Sequence, residues 1–143
     1  MSIVRFSMGW LFFYAGITKV LNPAWSSAGY LKSAKTFSSF YNWLASPELI
    51  GIVDWINEWG LTLLGIPLIV GALVRLSSIL GSLLMLLYYF PVLTFPYAGT
   101  HSFIIDEHII YILVLLLLYC KNAGKVWGLD RYLSKFPQLK KII

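Results

Sequence analysis

Four long apolar runs, each near the length of a bilayer-spanning helix, limit what this chain can fold into. A helix needs about 20 mostly apolar residues to cross a hydrocarbon core of about 30 Å. The runs cover residues 3–21, 50–73, 76–93 and 103–120. Only 12% of the 143 residues are charged, whereas a soluble domain carries about 25%. The sequence therefore predicts one all-α domain over residues 1–143, an integral membrane four-helix bundle.

Basic residues are distributed unevenly between the loops, and this predicts the orientation of the chain. With four spans, one side carries Arg5, Arg75, Lys121, Lys125, Arg131, Lys135, Lys140 and Lys141. The other side carries Lys32 and Lys35, with Lys19 at the end of the first run. We therefore expect a multi-pass protein of the cell membrane with its N-terminus and C-terminus in the cytoplasm. The net charge of +5 then reflects topology and contact with anionic lipid, and no nucleic-acid-binding motif is present.

The loop between the first two runs, residues 22–49, is too apolar for a solvated linker. Its apolar residues recur at helical spacing, at Leu31, Ala34, Phe37, Tyr41 and Leu44. This pattern predicts a short amphipathic helix in the first extracytoplasmic loop, lying at the interface or in the mouth of the bundle. The tail from residue 126 mixes aromatic and basic residues in the same way, and we expect it on the cytoplasmic membrane surface.

The segment IIDEHIIY, residues 104–111, places several ionisable groups at the start of the fourth run. Asp106 is a candidate helix N-cap, accepting hydrogen bonds from the backbone N–H of residue 108 or 109. His108, flanked by Asp106 and Glu107, is also a candidate proton relay, because imidazole exchanges protons readily near neutral pH. Tyr111 lies one turn further along. Capping and proton transfer both remain open from the sequence.

Other ionisable residues give weaker signals. Asp54 is expected near Lys19, where a structural ion pair and a functional role are equally open. His101 and His108 fit no standard metal-ligand spacing, and no nucleotide-binding fingerprint is present, so we expect no metal or nucleotide cofactor. Cys120 is the single cysteine and is interpreted as a small buried apolar side chain.

Short motifs follow one another along most of the chain. They are GITK at 16–19, GALVR at 71–75, DEHIIY at 106–111 and GLD at 128–130. In this order the chain resembles the DoxX/DoxD-like family of small four-helix membrane proteins. For the DoxD branch, the resemblance implies the membrane subunit of thiosulfate:quinone oxidoreductase, which joins two thiosulfates into tetrathionate and passes two electrons to a membrane quinone. It also implies a separate DoxA-like subunit as partner, while a homo-oligomer stays open.

The residues permit such chemistry. Thiosulfate, a dianion, would meet cations and hydrogen-bond donors at Lys19, Lys32, Lys35, Ser26 and Ser27, with Asp54 and His101 completing the expected substrate-binding set. The quinone, as electron acceptor, would receive protons through Asp106, Glu107, His108 and Tyr111. Two other classes remain open, a non-enzymatic membrane assembly or scaffolding protein and a small transporter.

Overall fold

The computed structural model describes residues 1–99 and 101–135, and most of this part of the chain is helical. In chain order the helices are α1 (Ser2–Val20), α2 (Ala28–Lys32), α3 (Ser38–Leu44), α4 (Ile50–Val70), α5 (Val74–Val92), α6 (Glu107–Cys120) and α7 (Asp130–Leu133), with a 3-10 turn at Ala123–Lys125. Two short strands, β1 (Leu93–Thr94) and β2 (Tyr97–Ala98), pair antiparallel between α5 and α6. The prediction of a helical protein is confirmed, with this hairpin as the exception.

Each of the four apolar runs forms one of the longer helices. Helix α1 packs along α4, and α5 packs along α6. The side chains of Phe12, Leu68, Leu115 and Leu118 are fully buried where these helices meet. Within the described residues, α4 and α5 are long and apolar enough to cross a membrane, whereas α6 is a shorter apolar helix of 14 residues.

Glycines allow α1 and α4 to approach each other closely. A Cβ atom added at Gly9 would lie 2.7 Å from the backbone nitrogen of Ile69. One added at Gly65 would lie 2.7 Å from the Cα atom of Phe13. Helices in lipid associate through such backbone contact, because the surrounding hydrocarbon supplies no hydrophobic drive between them. The two helices therefore form a unit in which neither position has room for a side chain.

Helix α6 is shorter than the apolar run that predicts it. The run begins at residue 103, but the helix begins at Glu107. Ile104 has a φ of 59°, in the left-handed region, and Asp106 has an extended backbone. These conformations cannot belong to an α-helix. The connection before α6 is therefore irregular, and it ends at Asp106. We call this end of the four longer helices the Asp106 end.

Residues 28–45, here called the α2–α3 segment, correct the prediction of one amphipathic helix. Two short helices are present instead. Phe37, between them, takes a left-handed φ of 55°, which a continuous helix cannot contain. Leu31 and Tyr41 are buried as expected, but the side chain of Phe37 is 62% exposed. The buried side chains pack against α4 and α5, at Val53 and Phe90 among others. The segment therefore fills the space between these helices at the Asp106 end.

Three hydroxyl groups attach the α2–α3 segment to the end of α5. Tyr41 donates to the carbonyl of Leu87 at 2.9 Å, Thr36 to that of Leu93 at 2.6 Å, and Tyr30 to that of Tyr88. Pro91 lies inside α5 and has no N–H, so the carbonyl of Leu87 lacks its usual helical partner. Tyr41 supplies the missing donor. The proline thus creates the acceptor that holds the segment in place.

Arg5 and Asp130 organise the opposite end of the helices, here called the Asp130 end. The Arg5 guanidinium donates to the backbone oxygens of Ala123, Val126 and Trp127 at 2.7, 3.0 and 3.1 Å. The Asp130 carboxylate accepts from the N–H groups of Leu73 at 2.6 Å and Val74 at 3.1 Å, and so caps the start of α5. The backbone N–H of Asp130 donates to Gly71 at 2.9 Å. The GALVR and GLD motifs therefore meet here.

The C-terminal tail is only partly described. Trp127 is 91% exposed, and Lys125, Arg131 and Lys135 are also exposed. Lys140 and Lys141, which the orientation argument includes, lie outside the described residues. The tail up to residue 135 therefore presents a tryptophan and three basic side chains at the Asp130 end.

Candidate functional site

Asp106 connects the start of α6 to an imidazole. Its Oδ1 atom accepts from the backbone N–H of His108 at 3.0 Å and of Ile109 at 3.2 Å, so the predicted cap is confirmed. Its Oδ2 atom lies 2.6 Å from His108 Nδ1. The side chains are 7% and 15% exposed, respectively. A largely buried carboxylate thus fixes the orientation of the imidazole ring.

The irregular connection before α6 holds this pair in place. Ile104 is β-branched, and its left-handed backbone is unfavourable for such a residue. Two hydrogen bonds stabilise it, since the Tyr89 hydroxyl donates to the Ile104 carbonyl at 2.5 Å and the Ile104 N–H donates to Pro96 at 2.9 Å. Contacts with α5 and with the hairpin therefore determine the direction of the chain just before Asp106. They determine the position of His108 in the same way.

A cavity of about 830 Å³ lies at the Asp106 end, bordered by α1, the α2–α3 segment, α4, α5 and the start of α6. The loop after α1 and the end of α1 contribute Lys19, Ser26 and Ser27. The connection before α6 and its first turn contribute His101, Asp106, Glu107 and His108. Residues predicted from two distant parts of the sequence therefore share one cavity, which is large enough for a small organic ligand.

Four of the predicted site residues lie elsewhere. Lys32 and Lys35 are exposed, and neither borders the cavity. Tyr111 packs against the core between the helices, one turn along α6 from Glu107, which does border the cavity. Asp54 lies behind the cavity wall, where its Oδ1 accepts from the backbone N–H of Ser27 at 2.8 Å and from its hydroxyl at 2.5 Å.

The expected ion pair between Lys19 and Asp54 is wrong. The Asp54 carboxylate accepts hydrogen bonds from Ser27 instead. Within residues 1–99 and 101–135, no carboxylate lies within 4.0 Å of the Lys19 ammonium. Lys19 Nζ instead lies 5.0 Å from the ring centroid of Trp25 and 5.7 Å from that of Tyr88. Aromatic faces attract a cation but accept no conventional hydrogen bond from it. The ammonium therefore retains its donors for a ligand in the cavity.

Sequence reasoning misses several residues that border the cavity, among them Tyr88, Asn57, Tyr30 and Trp25. Tyr88 is central among them. Its ring lies beside Lys19 on one side and meets the His108 ring edge-on, with centroids 6.2 Å apart. Its hydroxyl donates to Oδ1 of Asn57, whose amide nitrogen donates to Val53 at 2.8 Å. The second bond fixes the orientation of the Asn57 amide. One signal could have found the pair, since polar side chains inside apolar runs usually face other helices.

Tyr30 closes the cavity from the α2–α3 segment. Burial raises the pKa of its hydroxyl above the ordinary value, and the neighbouring Tyr41, Asp106 and Glu107 raise it further. The hydroxyl therefore keeps its proton throughout the physiological pH range and remains a donor. Its hydrogen bond to the Tyr88 carbonyl ties the segment to α5 at the cavity edge.

Metal-ligating groups do not converge in the described part of the chain. No cluster of three or more His, Cys, Asp or Glu side chains able to hold a metal ion occurs there. Cys120 is exposed at the end of α6, which corrects the interpretation of a buried side chain. It lies at the Asp130 end and does not border the cavity. The polar groups that border the cavity include the Lys19 ammonium, the Asp106–His108 pair, His101, Glu107 and several hydroxyl groups.

The family model named DoxX matches residues 1–94. The chain belongs to the DoxX family. No curated protein and no solved structure matches it. The DoxX match includes Lys19, Asn57 and Tyr88, while the Asp106–His108 pair follows it in the sequence. Membership of this family and the apolar helices α4 and α5 both indicate a membrane protein.

Proposed function

We propose that this DoxX protein is a membrane oxidoreductase, or the membrane subunit of one, that oxidises thiosulfate to tetrathionate and reduces a membrane quinone. One observation carries the proposal: a single cavity holds an ammonium without a carboxylate partner and an imidazole bonded to a carboxylate, on either side of Tyr88. The first suits an anion and the second suits proton transfer. An oxidation of an anion coupled to quinone reduction needs both.

The same proposal assigns the position of the chain in the membrane. All four longer helices cross as a four-helix bundle, and both termini lie in the cytoplasm of the cell. The Asp130 end carries Arg5, Arg75, Lys121, Lys125, Arg131 and Lys135, which favours its placement on the cytoplasmic side. The cavity then opens at the extracytoplasmic side, where thiosulfate arrives from water. Trp127 and the basic tail lie against anionic lipid.

Lys19 is the proposed thiosulfate ligand. An ammonium in an apolar setting is costly unless an anion neutralises it. Glu58 is near enough to attract the Lys19 charge through space, but no described carboxylate lies within 4.0 Å of the ammonium. Two thiosulfates each lose one electron, and their outer sulfur atoms form the new S–S bond of tetrathionate. Ser26 adds a hydroxyl at the cavity wall, whereas the donors of Ser27 are used by Asp54. Lys32 and Lys35 attract the anion towards the cavity from outside.

His108 is the proposed proton donor to the quinone. The quinone takes up the two electrons together with two protons, and becomes a quinol. The imidazole delivers a proton while the hydrogen bond to Asp106 holds the ring in position, and exposed Glu107 returns the proton from water. Electrons pass directly between sulfur and quinone when both are bound. A separate DoxA-like subunit is the proposed partner on the extracytoplasmic face.

The test is thiosulfate-dependent quinone reduction by the purified chain in nanodiscs, with tetrathionate measured as product and with a candidate partner present or absent. Lys19→Met should raise the thiosulfate KM by at least about tenfold, since a charge-assisted contact contributes about 1.5–3 kcal/mol. Lys121→Met is the matched control, because Lys121 is exposed at the Asp130 end and outside the cavity. It should change KM by less than about threefold. Absence of turnover in every combination, or equal effects of both substitutions, would contradict the proposal.

A further inference from the structure

Helices α4 and α5 are joined at one end, and at the other end the α2–α3 segment packs against both of them. A short turn at Gly71 joins them at the Asp130 end, where Asp130 holds the turn. At the Asp106 end the α2–α3 segment packs against Val53 of α4 and Phe90 of α5. Both helices border the cavity near this end, α4 with Ile56 and α5 with Leu87. One side wall of the cavity is therefore formed by these two helices.

The outward faces of both helices are apolar and exposed. The exposed stripe includes Ile52, Ile56, Leu63 and Ile66 on α4, and Leu76, Leu80, Leu83 and Leu87 on α5. Among the residues that the structure describes, these are the two helices long and apolar enough to cross a membrane, so their stripes face lipid. Ile56 and Leu87, 48% and 45% exposed, belong to the stripes and also border the cavity. One residue on each helix thus lies at the boundary between lipid and cavity.

We propose that the cavity opens sideways to the lipid between Ile56 and Leu87, and that this opening holds the aliphatic side chain of the quinone. The inference deepens the proposed function and rests on it. The ligand class is an amphipathic molecule with one polar ring and one long hydrocarbon chain. A dianion such as thiosulfate would enter the cavity from water and not through an apolar opening. A lipid-soluble substrate, in contrast, must enter from the bilayer.

The sequence positions next to the opening carry the polar groups that the ring would meet. Asn57 follows Ile56, and Tyr88 follows Leu87, and the Tyr88 hydroxyl donates to Asn57 across the two helices. A ring that passes between Ile56 and Leu87 therefore reaches Tyr88, with Lys19 and His108 beside it. The chain of the ligand is left among apolar side chains of the same opening. This division of polar and apolar groups matches the proposed ligand along its length.

The test narrows the opening without altering a polar group. Ile56→Trp and Leu87→Trp place a bulky side chain at the boundary, and Ile52→Trp and Leu83→Trp are matched controls on the same stripes away from the cavity. Binding of a benzoquinone with a decyl chain, and of the same ring without a chain, is titrated calorimetrically in nanodiscs without thiosulfate. The boundary variants should bind the decyl quinone about tenfold more weakly, because overpacking a filled space opposes binding. The chainless ring should change by less than about twofold.

Binding and turnover separate the two proposals. Suppose that the boundary variants selectively lose affinity for the decyl quinone while no variant turns over thiosulfate. The proposed opening is then supported, and the proposed thiosulfate reaction is refuted. If wild-type protein turns over thiosulfate but the boundary and control variants bind the decyl quinone alike, the opening is refuted. Equal weakening of both quinones also refutes it, since the substitutions would then occupy the ring site. No quinone binding by the wild-type protein refutes it as well.

Discussion

Replacing Asp106 by asparagine separates the two roles of this side chain. Oδ1 caps α6 through the N–H groups of His108 and Ile109, and Oδ2 lies 2.6 Å from His108 Nδ1. Asparagine caps a helix about as well as aspartate, so the first role survives. The second is lost, because an NH₂ donor or a neutral oxygen replaces the anionic partner of the imidazole. The free energy of unfolding should fall by about 1 kcal/mol, while turnover should fall about 10²–10⁴-fold.

A double-mutant cycle with His108→Gln tests this reasoning. Thiosulfate-dependent quinone reduction and chemical unfolding are measured for both single variants and the double variant in nanodiscs. Asp106 acts through His108, so the double variant should be no slower than His108→Gln alone. Asp106→Ala is the control for capping, and it should cost about 1 kcal/mol more in stability than Asp106→Asn. Wild-type turnover of Asp106→Asn, or single effects that multiply in the double variant, would refute the argument.

Three further outcomes follow from the fold. Asp130→Ala should destabilise the protein by about 1–3 kcal/mol, measured by chemical unfolding, because it leaves the buried N–H donors of Leu73 and Val74 at the start of α5 without an acceptor; a loss below about 0.5 kcal/mol would contradict this. Gly65→Ala should separate α1 from α4 and lower the unfolding temperature, whereas an unchanged temperature would mean that the close approach is dispensable. In a Cys120→Ser background, an impermeant thiol reagent outside the cell should label Ser39→Cys but not Arg131→Cys, and the opposite pattern would reverse the orientation.

The parts of the site that depend on local sequence could be predicted. The Asp106 cap spans two and three residues, so its partners are visible in IIDEHIIY itself. The four longer helices follow from runs of apolar residues, whose length alone indicates them. Lys19 borders the cavity, and its binding role stays a prediction, while the expected Asp54 partner is wrong. Periodicity and spacing carry this information because it involves near neighbours in the chain.

The parts that depend on tertiary packing could not be predicted. Tyr88 meets Asn57 only because the packing of α4 and α5 brings the two side chains together. Asp54 binds Ser27, not Lys19, because the loop after α1 folds back over α4. The break at Phe37 is also invisible to helical spacing, which predicts an uninterrupted helix there. In each case the deciding contact joins segments whose relative position the amino-acid pattern does not encode.

The cap of α5 has a consequence for the order of biosynthesis. The carboxylate that receives the first N–H groups of α5 lies 57 positions beyond Leu73 in the chain. The ribosome therefore synthesises α5 well before the group that caps it exists. Another hydrogen-bond acceptor, such as water, has to receive those N–H groups until Asp130 is made, which happens only after α6. The Asp130 end is thus the last part of the described chain to mature, and a polypeptide released early would leave α5 without its cap.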